Sequence, residues 1–190
     1  SYFSLLSIEP VFERSGLKLF DAEKLSTHGG SLRIYICHQT KKQQPTARLL
    51  KYRQEESKSK LNSLETYANF QFDVDSITKN LLDFLINCRD LNLKVAAYGA
   101  AAKGNTLLNY AGITQELVTC VYDEAKSKQG KYLPGSKIPI LSPSEIKKYK
   151  PDRMLILPWN LSDEIIYKHR YIFKWGAKFV TAVPQITEYS

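Results

Sequence analysis

The sequence predicts an α/β protein with a Rossmann-like, mainly parallel sheet covered by helices on both faces, plus an antiparallel strand pair near the N-terminus. Three observations support this prediction. Apolar runs of strand length alternate with helix-compatible segments from residue 93 onward, as expected for a parallel sheet. The first of these runs enters a helix through a glycine-bounded turn. Two further strand-like segments flank a turn with two glycines.

Residues 1–71 are predicted to form an N-terminal segment with a short helix, a β-pair and a polar helical stretch. A helix over residues 7–14 should end at Gly16, because glycine readily takes the left-handed conformation that ends helices. Alternating residues 17–24 and the Ile- and Tyr-rich residues 32–38 indicate the paired strands. Residues 40–71 are charged and only loosely helical in their apolar spacing.

Residues 72–190 are predicted to form the Rossmann-like unit, packed with residues 1–71 into one compact domain. Apolar residues recur at helical spacing from Val74 to Cys88, with Asp73 as the expected N-cap. A capping box with proline at the first helical position starts at Ser142. Four apolar runs are the predicted strands: residues 93–98, 117–122, 153–158 and 178–183. The segments between them include two predicted helices, residues 103–110 and 161–175.

Composition limits the classes of partner. The 190 residues carry a formal net charge of +8, which favours an anionic partner without choosing between nucleic acid, an acidic membrane surface and a phosphorylated small molecule. Basic and aromatic residues do not interleave on a recognition element, and no apolar run reaches the roughly 18 residues of a membrane span. We therefore expect a soluble, cytoplasmic protein without a nucleic-acid or membrane partner. Cys37, Cys88 and Cys120 lack metal-site spacing and are expected to be reduced core residues, with no metal bound.

The sharpest motif is G-x-A-x-x-G between the first apolar run and its helix. The free N–H groups of a helix start bind phosphate, and small residues let the ligand approach the backbone. Asp123 ends the next strand, where this fold places an acid for ribose hydroxyls. The alternative is a turn that needs small residues only for packing. The expected binding residues of the motif are Gly99, Ala101, Lys103, Gly104 and Asn105.

Two further segments are candidate binding elements. Trp159 and Asn160 follow the third strand and should lie at the same carboxyl edge of the sheet, although Asn160 could instead cap the next helix. In a glycine-rich loop, His28 is a weak candidate acid or base, and a solvated side chain is its alternative. His38 and His169 are interpreted as structural. The loop residues expected to contact a ligand are Thr27, His28, Gly29, Gly30 and Ser31.

Four stretches in this order resemble one known family. They read Ser-Tyr-Phe-Ser-Leu over residues 1–5, Thr-His-Gly-Gly-Ser-Leu-Arg over residues 27–33, Tyr-Gly-Ala-Ala-Ala-Lys-Gly-Asn over residues 98–105 and Leu-Pro-Trp-Asn over residues 157–160. The chain resembles, over nearly its whole length, the C-terminal domain of SAM-dependent sugar C-methyltransferases. These enzymes methylate a carbon of a nucleotide-linked keto-deoxysugar.

The resemblance implies a binding role within a larger enzyme. Family members bind zinc in an N-terminal region and SAM in a central domain, so both cofactors are expected outside this chain and none within it. The family's Tyr/Glu/His catalytic segment precedes the first motif, so this chain alone is expected to be inactive. The implied partners are a nucleotide-diphosphate sugar and an upstream or separate SAM-binding methyltransferase domain. A non-catalytic docking module and an NAD(P)-dependent oxidoreductase, the latter favoured by Asp123, remain alternatives.

Overall fold

The computed structural model describes residues 3–26 and 30–190. The chain divides into two compact units, Ser1–Gln71 and Phe72–Ser190. The predicted α/β class is confirmed, because a mostly parallel six-stranded sheet lies in the second unit and a separate two-stranded antiparallel sheet in the first.

The first unit contains two helices and the antiparallel pair. The strands are joined in register from Leu17 opposite His38 to Leu25 opposite Ser31, with an irregularity between Leu19 and Asp21. Its elements are α1 (Leu5–Arg14), β1 (Leu17–Leu25), β2 (Ser31–His38) and α2 (Ala47–Lys58). A small core fills the space between them and consists of Leu5, Leu19, Ala22 and Leu49.

Helix α1 receives its N-terminal acceptors from two places in the sequence. The Ser4 hydroxyl accepts from the Ser7 N–H and starts the helix two residues before the predicted start. The carboxylate of Glu56 on α2 accepts from the N–H groups of Leu5 at 2.7 Å and Leu6 at 2.8 Å. A negative charge at this end of a helix is favourable, because the unpaired N–H groups and the helix dipole are positive there. Glu56 therefore joins α1 to α2.

Asp21 links β1 to the start of α2. Its Oδ1 accepts from the Thr46 hydroxyl at 2.6 Å and from Arg48 Nε at 3.1 Å. The Arg48 guanidinium, with help from Thr46, lowers the pKa of Asp21 to about 2. Since Thr46 also caps α2 by accepting from the Leu49 N–H, the start of α2 is held to the strand pair by one hydrogen-bonded cluster.

The long helix α3 (Leu64–Asp90) corrects one prediction. Asp73 lies inside this helix and is not its N-cap. Residues 64–73 contain neither glycine nor proline, so nothing in the backbone interrupts the helix before the apolar periodicity begins. The predicted apolar face is present at the C-terminal end, where Leu81, Leu85 and Cys88 are buried.

The second unit is built on six strands in the spatial order β5-β4-β3-β6-β7-β8. All neighbouring pairs are parallel except β7 and β8, which are antiparallel. The elements are β3 (Val95–Tyr98), α4 (Ala102–Tyr110), β4 (Val121–Tyr122), β5 (Ile140–Leu141), α5 (Ile146–Tyr149), β6 (Arg153–Ile156), α6 (Ser162–His169), β7 (Lys178–Thr181) and β8 (Thr187–Tyr189). The four predicted runs correspond to β3, β4, β6 and β7, whereas the sequence predicted neither β5 nor β8.

The segment predicted as one helix over residues 161–175 has three parts. A 3₁₀ turn over Trp159–Leu161 precedes α6, and a second 3₁₀ segment over Arg170–Trp175 follows it. It ends where predicted, at Gly176, which has φ +79°. At Ser142 the hydroxyl accepts from the Ser144 N–H at the start of a 3₁₀ turn that leads into α5.

Each face of the six-stranded sheet carries a helical layer. On β3, Val95 and Ala97 contribute to one core, which contains buried residues of α3 and α4. Ala96 and Tyr98 contribute to the other, which contains buried residues of α5 and α6. This alternation gives the two-sided burial expected for a parallel sheet.

The three cysteines are free thiols. Cys88 and Cys120 are buried, which raises the pKa of both thiols, whereas Cys37 is half-buried. Among the described residues, no helix is both long enough and apolar enough to cross a membrane.

Candidate functional site

The strand order of the large sheet reverses between β3 and β6, which lie side by side. Tyr98 at the end of β3 pairs with Ile156 at the end of β6. In open α/β sheets, ligands bind outside the carboxyl ends of the strands at such a reversal point. The segments that leave β3 and β6 are residues 99–105 and 157–160, so the topology brings two of the sequence motifs together.

The turn after β3 has a defined hydrogen-bond pattern. Gly99 has φ +84°, which favours glycine, and its N–H donates to the Tyr122 carbonyl at 2.7 Å. The Ala100 N–H donates to Asp123 Oδ2 at 2.7 Å. Ala101 is the N-cap of α4 and contributes no side-chain acceptor to it. Within the described part of the chain, the N–H groups of Ala102, Lys103 and Gly104 in the first turn of α4 have no hydrogen-bond acceptor.

Both glycines of the motif are required by packing. A Cβ added at Gly99 would lie 2.6 Å from Pro158 Cδ, and one added at Gly104 would lie 2.5 Å from Leu157 Cβ. The third glycine of this fingerprint usually permits close approach of helix and strand, and Gly104 does so here. The two glycines therefore let the turn and α4 pack directly on the segment that follows β6.

Lys103 joins the same two motifs through its side chain. Its Nζ donates a hydrogen bond to Asn160 Oδ1 and lies 4.8 Å from the centre of the Trp159 ring. A cation over an indole face is attracted by the negative π surface. Neither the 3₁₀ turn at Trp159 nor α6 has a side-chain cap, so the Asn160 side chain serves Lys103 and does not cap the helix.

Asn105 contributes a polar atom without a partner. Its Oδ1 is buried and accepts no hydrogen bond within the part of the chain that the structure describes. Leaving such an oxygen unsatisfied costs about 1–3 kcal/mol, so a donor from a ligand or water would stabilise it. Asn105 also lines the cleft next to the start of α4.

The buried Asp123 carboxylate stabilises the turn by accepting hydrogen bonds from it. It is only 8% exposed, and it accepts from the N–H groups of Ala100 at 2.7 Å and Ala125 at 2.8 Å. Lys128 Nζ lies 3.1 Å from its Oδ2 and also donates to the Ala100 carbonyl at 3.0 Å. Three donors of the protein therefore occupy the acid that the sequence suggested for ribose hydroxyls.

A cleft of about 620 Å³ lies beside the start of α4, on the side of β4 and β5. Its walls include the small residues of the turn, Asn105 and three residues outside the sequence motifs: Lys128, Lys131 and Tyr132. In the sequence, the two lysines are visible only as part of a basic stretch. Their position beside a helix N-terminus depends on the path of the chain between β4 and β5.

The glycine-rich loop of the first unit is only partly described. Thr27, His28 and Gly29 lie outside the described residues, as do Ser1 and Tyr2 of the first motif. Gly30 and Ser31 line a cleft of about 540 Å³ in the first unit, together with Lys24, Tyr52 and Glu55. Across residues 3–26 and 30–190, no cluster of His, Cys, Asp and Glu has the arrangement to hold a metal ion.

Comparisons with known proteins agree with the motif pattern. The model of a family described as the C-methyltransferase C-terminal domain matches residues 26–184. The C-methyltransferase NovU of Streptomyces niveus is 30% identical over 185 residues, which are 97% of this chain and 44% of that protein. The chain thus spans less than half the length of this relative.

A solved structure with a lower similarity is UDP-D-quinovosamine 4-dehydrogenase from Vibrio fischeri. The sequence identity is 20% and the TM-score is 0.37, over 52% of this chain and 93% of the other. The family match covers most of the chain and includes the motifs that meet at the strand reversal. This chain therefore belongs to the C-methyltransferase C-terminal domain family.

Proposed function

We propose that this domain holds the nucleotide-diphosphate sugar substrate of a SAM-dependent C-methyltransferase, with the diphosphate at the start of α4. The observation that carries the proposal is the contact of Lys103 with Asn160 and Trp159 at the strand reversal. A fixed cation, a helix N-terminus with free N–H groups and a half-buried indole suit a ligand that joins phosphate to planar or ring-shaped groups.

The electrostatics of the site favour an anion. Lys103 stands on one side of the α4 start, and Lys128 and Lys131 line the cleft on the other side. The positive end of the α4 dipole adds to them. Phosphate oxygens that meet backbone N–H groups and lysines form charge-assisted hydrogen bonds, which are stronger than neutral ones. A diphosphate across the turn would meet Lys103, Lys131 and the free N–H groups of α4, whereas Lys128 is already paired with Asp123 at 3.1 Å.

The contribution of this domain to methyl transfer is orientation. The proposed reaction removes a proton next to the sugar ketone, and the resulting carbon nucleophile attacks a methyl group. SAM supplies that methyl group from a domain outside this chain, and zinc belongs to the family's N-terminal region. Holding the sugar in one position lowers the entropic part of the barrier, which well-oriented groups can reduce by several kcal/mol. His28 remains a predicted acid or base, and we assign no catalytic residue among the described ones.

The state of Asp123 argues against the oxidoreductase alternative. In dinucleotide-binding Rossmann folds, the acid after the second strand accepts hydrogen bonds from ribose hydroxyls. Here Ala100, Ala125 and Lys128 engage both carboxylate oxygens. A ribose would have to compete with these donors for a buried group, so the turn favours a phosphate ligand over a complete dinucleotide.

Calorimetric titration with dTDP tests the proposal. We expect the wild-type chain to bind dTDP, and a Lys103→Ala, Asn105→Ala double variant to bind at least about tenfold more weakly, as for the loss of a charged hydrogen-bond donor. Lys174→Ala removes an exposed lysine outside the site and is expected to leave the affinity unchanged.

Three outcomes contradict the proposal. Equal affinity of the double variant and the wild type would remove the start of α4 from the binding site. Thermal stabilisation by NAD without stabilisation by dTDP would favour the oxidoreductase, and stabilisation by neither would favour the docking module.

A further inference from the structure

A chain of hydrogen-bonded, titratable side chains lies behind the turn, on the face of the sheet that carries α5 and α6. The Tyr98 hydroxyl is 2.9 Å from Glu124 Oε1 and 2.8 Å from His169 Nε2. His169 Nδ1 is 3.3 Å from the Tyr171 hydroxyl. His169 was predicted to be structural, and no role was predicted for Tyr98, Glu124 or Tyr171.

The hydrogen bonds of this chain fix which atom carries each proton. The ionised Glu124 carboxylate can only accept, so Tyr98 uses its single O–H to donate to it. The Tyr98 oxygen must then accept from His169 Nε2–H. An uncharged imidazole with a proton on Nε2 leaves Nδ1 as the acceptor for the Tyr171 hydroxyl. Every donor therefore points toward Glu124.

The surroundings keep His169 uncharged at neutral pH. Tyr98 is 6% exposed and His169 is 4% exposed. Burial, and secondly the Lys168 ammonium, lower the pKa of His169, while Glu124 acts in the opposite direction. On the solvent side, Lys168 Nζ lies 2.8 Å from Glu124 Oε1. The hydrogen bonds from Lys168 and Tyr98 lower the pKa of the Glu124 carboxyl. Lys147 of α5 faces the Tyr171 ring at 5.2 Å.

This chain of side chains connects directly to the turn of the candidate site. Tyr98 precedes Gly99, and Glu124 follows Asp123, whose carboxylate holds the Ala100 N–H. The hydrogen bond from Tyr98 to Glu124 thus joins the residue before the turn to the residue after Asp123. His169 ties the same hydroxyl to the end of α6. A displacement of the Tyr98 hydroxyl would therefore be transmitted to Gly99 through the backbone of Tyr98, and to Asp123 through the backbone of Glu124.

We propose that Tyr98, Glu124 and His169 form a positioning network that holds the turn over residues 99–101 in its ligand-binding geometry, with uncharged His169 donating from Nε2. This inference rests on the proposed function, because the turn is the phosphate-binding element there. The three side chains act through the backbone of the turn and touch no substrate.

A pH dependence of the site follows from the network. An unfolded histidine takes up a proton near pH 6.5, whereas buried His169 does so at lower pH. Falling pH below 6.5 therefore disfavours the folded arrangement, because the proton binds more readily when His169 leaves its buried position. Protonation also converts Nδ1 from acceptor to donor and places a charge between Tyr98 and Tyr171. Ligand affinity should fall over the pH range in which His169 of the folded chain takes up its proton.

Nitrogen-15 NMR of the whole chain tests the network without a ligand. In the wild type we expect a protonated Nε2 on His169, identified by its absence in His169→Gln, and Gly99 and Ala100 amide shifts that follow the His169 titration. In Tyr98→Phe these amide shifts should no longer follow it. Tyr149→Phe is the matched control, because it removes a half-buried hydroxyl that donates to Thr119 at the other edge of the sheet.

Titration with dTDP gives the second readout. We expect Tyr98→Phe to weaken dTDP binding at pH 7.5 about three- to tenfold, the range of one buried hydrogen bond. His169→Gln retains a side-chain N–H donor, so it should bind normally at pH 7.5 and lose the pH dependence of affinity. Tyr149→Phe should behave as the wild type in both respects.

The outcomes separate this inference from the proposed function. A proton on Nδ1 of His169, or turn amides that ignore its titration in the wild type, would overturn the network, and the second result requires no variant to fold. If the amides follow His169 but dTDP does not bind, the network stands and the proposed function fails. If dTDP binds equally well to Tyr98→Phe, the network has no role in positioning.

Discussion

Single residues at the turn have two kinds of role. Gly99 and Gly104 are glycines because Pro158 and Leu157 occupy the space where a Cβ would lie. Lys103 and Asn105 are not needed for packing in this way, and they supply the charge and the amide that the proposed ligand would meet. The packing and binding interpretations of the motif thus apply to different residues within it.

Gly104→Ala tests the packing role. Alanine is the better helix former, but its Cβ would lie 2.5 Å from Leu157 Cβ, so we expect a net loss of about 1–3 kcal/mol in the free energy of unfolding. Urea denaturation followed by tryptophan fluorescence measures the change. Thr106→Ala on the same helix replaces an exposed residue and should change the free energy by less than about 0.5 kcal/mol. A neutral or stabilising Gly104→Ala would show that α4 does not need this close approach.

At the scale of elements, helix boundaries were decided by residues far away in the sequence. The local sequence predicted α1 and its end at Gly16, which has φ +71°. Its N-terminal acceptors include Glu56, about 50 positions away, which no local pattern indicates. For α3, the apolar spacing predicted the buried face but not the start of the helix. Residues 64–73 are helical but contain no buried residue, so no apolar pattern indicates that the helix begins there.

Glu56→Gln tests the long-range cap of α1. Glutamine keeps the size of the side chain but removes the charge and turns one acceptor oxygen into an N–H donor that faces a backbone N–H. We expect a loss of about 1 kcal/mol in the stability of α1. Hydrogen exchange of the Leu5 and Leu6 amides should accelerate accordingly. Glu65→Gln changes an exposed glutamate near the start of α3 and should leave these rates unchanged, so equal effects of both variants would contradict the cap.

At the scale of the whole molecule, two units have separate cores. The core of the first unit and the two cores of the second unit share no residue. Chains with more than one compact unit often unfold in more than one transition, and we expect this of the two units here.

Urea unfolding followed by two probes tests this expectation. Both tryptophans of the chain, Trp159 and Trp175, lie in the second unit, whereas circular dichroism reports on all helices. We expect the two unfolding curves not to coincide. Glu56→Gln should shift the dichroism curve to lower urea concentration and leave the fluorescence curve in place. Superimposable curves that move together in this variant would show that the units unfold as one.

The sequence by itself determined the fold class, the four main strands and the family. Alternation, helical spacing and the motif at residues 98–105 are local patterns, and the backbone follows them directly. The tertiary structure decided what the polar side chains do. The Glu56 to Leu5, Lys103 to Asn160 and Tyr98 to His169 contacts join residues 51, 57 and 71 positions apart. The sequence predicts Asp123 as a ligand-binding acid. The tertiary structure shows which protein groups it accepts from, because a buried carboxylate must accept hydrogen bonds from the groups that neighbouring elements bring to it.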